Sequence, residues 1–137
     1  MKVYFADTGY YIALLAPQDL GHDAAMAFAV DSEIAAITTD YVLLELAAYF
    51  ARPPWRSNLV ALVDRLREAE RLTIIRDNPL LFDRAFALYR ERADKAWSLV
   101  DCTSFVVMQD QGLVDALTPD HHFEQAGFRA LLKQVAS

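Results

Sequence analysis

The feature that most constrains the fold is a repeated alternation between short apolar runs of strand length and longer segments with helical periodicity. The strand-like runs are KVYFAD at residues 2–7, EIAAITT at 33–39, RLTIIR at 71–76, VDALT at 114–118 and FRALL at 128–132. Strands that alternate with helices usually pair in parallel through helical crossovers, so this order predicts a doubly wound α/β sheet with helices on both faces. Such sheets bind ligands beyond the carboxyl ends of their strands, which indicates where to look for a site.

Helix signals lie between these runs. Thr39 or Asp40 is a suitable N-cap for the segment that runs to Phe50, which is apolar almost throughout and is therefore expected to be buried. The prolines of ARPPWRSN end that helix, and the next helix is expected at LVALVDRLREAE, residues 59–70. Pro79 suits the first position of a helix over residues 79–93, and Gly112 suits the end of a buried helix over residues 98–112.

The totals fit one domain spanning residues 1–137, with 55% hydrophobic residues and a net charge of −6. The negative charge disfavours a protein that coats nucleic acid, although clustered carboxylates can hold cations that supply positive charge locally. Cys102 is the single cysteine and excludes an intrachain disulfide, which suits a reducing compartment. Asp7 interrupts the N-terminal apolar run, and no run approaches the ~20 residues that span a bilayer, so we expect a cytoplasmic protein without a membrane segment.

Four acidic residues fall near the carboxyl edge of the proposed sheet. Asp7 and Asp120 follow the first and fourth strands, Glu45 lies just over one turn into the helix after the second, and Asp101 lies in the first turn of the helix at 98–112. Four close carboxylates repel strongly unless divalent cations are present, and an oxygen-rich cluster suits Mg²⁺ or Mn²⁺. Such a cluster binds phosphate oxygens and activates water for in-line attack.

Each acid also has a purely structural explanation. Asp7 and Asp120 can cap helices, and Asp101 has the spacing of a capping box with Ser98. Glu45 lies in the apolar stretch VLLELAAYF, where its structural alternative is a buried salt bridge to an arginine.

Four sequence blocks together resemble the PIN-domain ribonucleases, in particular the VapC-type toxins of bacterial toxin–antitoxin pairs. The blocks are FADTGYYIALL, TTDYVLLEL, SLVDCTSF and ALTPDHHFEQAGF, and they occur in the order of the family. The resemblance implies a three-layer α/β/α sandwich with a central parallel sheet and a metal-dependent endoribonuclease. It carries over Asp7, Glu45, Asp101 and Asp120 as catalytic and metal-binding residues, with one or two Mg²⁺ or Mn²⁺ ions.

The same blocks imply supporting residues and one departure from the family. Thr8 and Thr118 match polar positions that orient the site. Gly9 stands where many relatives carry serine or asparagine, so an additional polar contact is not expected here.

The resemblance also implies an RNA substrate, a cognate antitoxin and a homodimer. Arg52 and Arg56 are the cations we consider for RNA contact, and Trp55 and Tyr11 are candidates for stacking on unpaired bases. A solvated helix face and a packed tryptophan are the alternatives. The segment FARPPWRSNLVALV is apolar enough to bind a protein, and the resemblance implies that it contacts the antitoxin.

Several other readings remain open on the sequence. The enzyme could be a stand-alone PIN-domain nuclease in RNA processing, a nuclease acting on DNA, or a non-catalytic interaction module. A phosphoacceptor receiver domain would use Asp77 and Lys133, but it explains neither Glu45 nor Asp101. The histidines lack zinc-ligand spacing, and His121 and His122 are adjacent, so we interpret them as surface or packing residues.

Overall fold

A computed structural model describes residues 1–133 of the chain. It shows the predicted three-layer α/β/α sandwich around an all-parallel sheet of five strands, ordered β3-β2-β1-β4-β5. The strands are β1 (Lys2–Ala6), β2 (Ile34–Thr39), β3 (Leu72–Ile75), β4 (Asp115–Leu117) and β5 (Arg129–Ala130). The helices are α1 (Thr8–Leu15), α2 (His22–Val30), α3 (Asp40–Tyr49), α4 (Trp55–Glu68), α5 (Pro79–Glu91), α6 (Leu99–Gln111) and α7 (His121–Gln125).

The strand order reverses beside β1. The chain builds outward from β1 through β2 to β3, and then returns to place β4 on the other side of β1. The loops that leave β1 and β4 therefore diverge to opposite sides, which opens a crevice at the carboxyl ends of these two strands.

Local sequence signals set the helix ends. The Thr39 hydroxyl accepts a hydrogen bond from the Val42 amide at 3.1 Å, so Thr39 rather than Asp40 caps α3. Helix α5 starts at Pro79, as predicted, and α6 ends at Gly112, whose φ of 66° needs a residue that tolerates the left-handed region.

Helix α6 is the most deeply buried helix, and all its residues from Asp101 to Met108 are buried. Its Phe105 ring packs edge-on against the rings of Trp97 and Phe123 at centroid distances of 5.0 and 4.9 Å. This packing fixes the axis of α6 against the sheet, and with it the first turn of the helix.

Two helices differ from the sequence prediction. Helix α4 begins at Trp55, four residues before the expected start at Leu59. Helix α3 is not buried on all sides: Leu44 and Tyr49 are 66% and 64% exposed, so the apolar stretch has one face on the core and one face in solvent. Apolar character therefore predicted burial correctly for only part of the stretch, namely Val42, Leu43, Leu46 and Phe50.

Candidate active site

All four predicted acids line one open pocket of about 410 Å³ at the carboxyl edge of the sheet. Asp7 comes from the end of β1, Glu45 from α3, Asp101 from the first turn of α6 and Asp120 from the loop between β4 and α7. The Asp7 amide donates to the Leu117 carbonyl at the end of β4, so β1 and β4 end side by side. The strand order reverses between these two strands, and the pocket lies at this point.

Asp7 is the most deeply buried of the four carboxylates. Its side chain makes no cap bond to α1; instead, Oδ2 accepts a 2.8 Å hydrogen bond from the hydroxyl of Thr118. Burial raises the pKa of Asp7 to about 7, and the charges of Asp101 and Glu45 act in the same direction, whereas the Thr118 hydrogen bond lowers it. The structural explanation of Asp7 as a helix cap therefore fails for its side chain.

Glu45 is partly exposed and reaches the pocket from α3. Its Oε1 accepts a 2.6 Å hydrogen bond from the hydroxyl of Thr8, at the start of α1. Among the described residues, the partner of the Glu45 carboxylate is this hydroxyl and not an arginine. The salt-bridge alternative is therefore wrong. Thr8 and Thr118 thus each hold one carboxylate of the pocket.

Asp101 serves a cap and the pocket at once. Its Oδ2 accepts from the Ser98 amide at 3.0 Å, and its own amide donates to the Ser98 hydroxyl at 2.9 Å, which completes the predicted capping box. Burial raises the pKa of Asp101 and nearby Asp120 raises it further, while the bonds to Ser98 and His122 lower it. The capping box and a functional role are therefore compatible.

Asp120 caps the short helix α7. Its Oδ1 accepts from the His122 amide at 2.9 Å, and its own amide donates to the Thr118 hydroxyl at 3.2 Å. Because the same hydroxyl donates to Asp7, Thr118 connects the carboxylate that follows β1 to the backbone of Asp120 after β4.

His122 is a pocket residue that the sequence interpretation missed. Its Nδ1 lies 3.1 Å from Asp101 Oδ2 and 3.4 Å from Asp120 Oδ1, and the residue lines the pocket. Asp120, His121 and His122 can also place one ligand atom each within 4.8 Å of one another. The two histidines can therefore face one site although they are adjacent in the sequence. The signal that could have identified them was their place directly after a strand-end aspartate.

The absence of a side chain at Gly9 has a steric explanation in this chain. A Cβ atom at Gly9 would lie 2.6 Å from Cδ of Pro119, a distance that real Cβ contacts do not tolerate. The start of α1 and the loop after β4 therefore approach each other closely at the floor of the pocket. Serine or asparagine at this position would require a different residue or backbone path at Pro119.

The donor set of the pocket fits a hard divalent cation. In the described part of the chain, its lining holds four carboxylates and no lysine or arginine that would neutralise them. Mg²⁺ and Mn²⁺ take oxygen ligands of this kind, and they would relieve the repulsion that helps keep the pKa of Asp7 high.

The predicted RNA contacts are placed differently. Tyr11 is only 2% exposed, so its ring has no free face for a base and that prediction is wrong. Arg52 and Arg56 are exposed, and Trp55 is 37% exposed with its ring 5.9 Å from that of Phe50. None of these three is among the described residues that line the acidic pocket, whereas the exposed Tyr49 is.

The sequence profile of the PIN domain family matches residues 4–129. The chain belongs to the PIN domain family. The receiver-domain reading is therefore wrong, and its two residues have other partners: the Asp77 amide donates to Asp40, and Lys133 pairs with Glu124 at 2.8 Å. No curated protein matches the chain significantly.

Solved PIN-like structures resemble the whole chain. VapC20 of Mycobacterium tuberculosis, described as a toxin that cleaves the sarcin-ricin loop, is 25% identical with a TM-score of 0.84 over 95% of this chain and 98% of that one. VapBC2 of Rickettsia felis, solved with a DNA fragment of its promoter, is 13% identical with a TM-score of 0.65 over 90% and 92%. FitAcB of Neisseria gonorrhoeae is 18% identical with a TM-score of 0.59 over 93% and 94%.

No helix within residues 1–133 combines the length and apolar character needed to cross a membrane.

Proposed function

We propose that the chain is a metal-dependent endoribonuclease and the toxin of a toxin–antitoxin pair, acting in the cytoplasm. The observation that carries the proposal is the convergence of four carboxylates from separate elements on one pocket without a lysine or arginine among its described lining residues. The likeness to VapC20, a toxin that cleaves RNA of the sarcin-ricin loop, supports RNA as the substrate class.

Asp7, Glu45, Asp101 and Asp120 would hold one or two Mg²⁺ or Mn²⁺ ions. When bound, such an ion supplies positive charge that polarises a phosphoryl oxygen and lowers the pKa of an attacking water. Hydrogen bonds from Thr118, Thr8 and Ser98 each restrain one oxygen of Asp7, Glu45 and Asp101, which orients these carboxylates before substrate arrives. A carboxylate of this set accepts the proton of the water that attacks phosphorus.

RNA cleavage by the purified chain tests the proposal. A structured RNA and a DNA of the same sequence are incubated with wild type, Asp7→Asn and Asp64→Asn at several Mn²⁺ and Mg²⁺ concentrations. Asp64 is an exposed carboxylate on α4 outside the pocket, so it controls for loss of one negative charge. We expect Asp7→Asn to lose at least about 100-fold in rate, Asp64→Asn to match wild type, and EDTA to stop cleavage.

Equal cleavage rates for wild type and Asp7→Asn, or cleavage that persists in EDTA, would contradict a metal-dependent site at Asp7. Absence of cleavage by wild type would favour a non-catalytic interaction module. Faster cleavage of the DNA would change the substrate class and leave the site assignment standing.

We further propose that the chain forms a homodimer. We also propose that it binds an antitoxin, and that the exposed apolar surface of α3 and α4 makes this contact with the antitoxin. Leu44 and Tyr49 on α3 and Trp55 and Val60 on α4 form this surface, at 66%, 64%, 37% and 55% exposure. Co-purification with the product of a neighbouring short reading frame, and the mass of the chain in solution, test both partners. An isolated gene would favour a nuclease of RNA processing.

A further inference from the structure

A second cleft lies beside the acidic pocket, between the end of α5 and the segment that leads into α6. It has a volume of about 560 Å³, and its described lining contains Arg90, Arg92 and Lys95 but no carboxylate. The acidic pocket has the opposite composition, with four carboxylates and no lysine or arginine among its described residues. The two cavities therefore favour ligands of opposite charge, although the chain as a whole carries a net charge of −6.

The cleft also offers flat aromatic surface. Phe82, Phe86 and Tyr89 are spaced for one face of α5 and are 42%, 38% and 47% exposed. Their rings form a ladder, with Phe82 and Phe86 at 6.1 Å and 14°, and Phe86 and Tyr89 at 6.2 Å and 28°. Phe86 and Tyr89, the two rings nearer the end of the helix, line the cleft.

Cations sit on and beside these rings. The Arg90 guanidinium lies 5.0 Å from the centroid of the Phe86 ring, and Arg90 itself is exposed. Arg92 is committed to a double hydrogen bond with Asp94 and lies over the Trp97 ring at 5.1 Å. The ammonium of Lys95 lies 4.0 Å from Asp94, a longer and weaker contact than the two bonds of Arg92. Arg90 and Lys95 are therefore more available to an anionic ligand than Arg92.

The cleft adjoins the acidic pocket at one residue. Ala96 lines both cavities, and it stands just before Ser98, which caps α6 and positions Asp101. An RNA strand that crosses Ala96 would therefore reach the carboxylates from the cationic cleft. Protein partners also use exposed aromatic rings, but the cationic lining without a carboxylate, next to the acidic pocket, favours a polyanion that extends out of that pocket.

We propose that the cleft is a binding subsite for the single-stranded RNA that flanks the cleaved bond. Tyr89, at the end of the ladder, stacks on a base, Phe86 supports the Tyr89 ring, and Arg90 and Lys95 contact the phosphates. The inference rests on the proposed nuclease function, because it assigns the cleft to the same substrate.

RNA binding is measured by fluorescence anisotropy with a short labelled single-stranded RNA and full-length Asp7→Asn protein in EDTA, so that cleavage is blocked. The test variant adds Tyr89→Ala and Arg90→Ala. One control adds Phe82→Ala, which removes a ring of the same ladder outside the cleft, and another adds Arg65→Ala, which removes an exposed cation on α4. We expect Kd to rise at least about tenfold in the test variant and to stay unchanged in both controls.

Salt dependence separates a phosphate contact from a loss of structure. Arg90→Gln should reduce the slope of log K against log salt concentration by about 0.7, the value for one contact to a single strand. In the active protein, the Tyr89→Ala/Arg90→Ala variant should raise KM by a similar factor to Kd and leave kcat within about twofold.

Unchanged RNA affinity in Tyr89→Ala/Arg90→Ala would overturn the subsite, and so would an unchanged salt slope in Arg90→Gln. If Phe82→Ala and Tyr89→Ala both dissociate a self-associated parent while RNA affinity stays constant, this face is a contact between copies and the proposal is wrong. Absence of cleavage by wild type, together with selective loss of binding in the test variant, would instead contradict the nuclease assignment and support the subsite.

Discussion

At the scale of single residues, the pocket is defined by carboxylates that the fold holds against their own repulsion. Asp7 is buried, and its pKa rises to about 7 because burial disfavours the charged form and because Asp101 and Glu45 lie close by. The Thr118 hydroxyl offsets only part of this cost. Without a bound cation, the clustered carboxylates therefore lower the free energy of unfolding, as expected of a site shaped for a cation.

The pH dependence of stability tests this interpretation of Asp7. The ordinary pKa of an aspartate is 3.8, whereas in the folded protein that of Asp7 is about 7, so folding takes up a proton between these values. In EDTA, the contribution of Asp7 to the free energy of unfolding should fall as pH rises from about 4 to about 7, by up to about 1.4 kcal/mol per pH unit. Asp7→Asn should gain stability relative to wild type across this window.

Urea denaturation at about pH 5 and about pH 7.5 measures the difference in free energy of unfolding between Asp7→Asn and wild type. Asp64→Asn, which changes an exposed acid, should keep the slope of wild type. A constant difference between Asp7→Asn and wild type at both pH values would show that Asp7 is ionised in the free protein.

His122 gives a second residue-level prediction. Its contact with Asp101 resembles the outer-shell partner of a metal ligand, whose loss typically weakens metal affinity about 10–100-fold. His122→Ala should therefore weaken Mn²⁺ binding by this factor, measured by calorimetry on the metal-free protein. His121→Ala, at a 64% exposed neighbouring side chain, should bind Mn²⁺ like wild type. Equal weakening in both variants would assign the two histidines to one ligand set with Asp120.

At the scale of elements, the order of strands and helices was predictable, and so was the side of the sheet that holds the acids. The strand-end rule identified Asp7 and Asp120 because parallel strands end at a common edge, whatever their exact bounds. It could not identify the surface of α3, since an apolar stretch does not reveal which of its faces meets the core. Tyr11 was misjudged for a related reason: the position of one aromatic residue relative to the sheet depends on packing that the local sequence does not encode.

The close approach of α1 to the loop after β4 gives a prediction at this scale. Gly9→Ala places a Cβ atom against the Pro119 ring, and overpacking of this kind costs about 1–3 kcal/mol. Pro119→Ala removes the ring atoms that clash, so the double variant should recover part of the loss. Urea denaturation of the two single variants and the double variant gives the coupling energy directly. Additive losses would show that Gly9 is required for another reason.

At the scale of the whole molecule, the acidic pocket joins elements that are far apart in the sequence. Its carboxylates come from β1, α3, α6 and the β4–α7 loop, and hydrogen bonds link Thr8 to Glu45 and Thr118 to Asp7 across 37 and 111 positions. A cation that binds all four carboxylates therefore binds the folded chain only. Ligand binding of this kind should stabilise the fold as a unit and not one helix at a time.

Calorimetric melting with and without Mn²⁺ tests this coupling through Glu45→Gln. Without cation, the variant should melt at or above the temperature of wild type, because it removes one charge from the cluster while its amide oxygen can still accept from Thr8. With free Mn²⁺ at about 100 times its Kd, wild type should gain about 2.7 kcal/mol, and Glu45→Gln should gain clearly less. Glu68→Gln, at an exposed position on α4, controls for loss of charge. A large drop in the melting temperature of cation-free Glu45→Gln would mean that this carboxylate stabilises the fold itself, and the pocket would then be a structural cluster instead of a metal site.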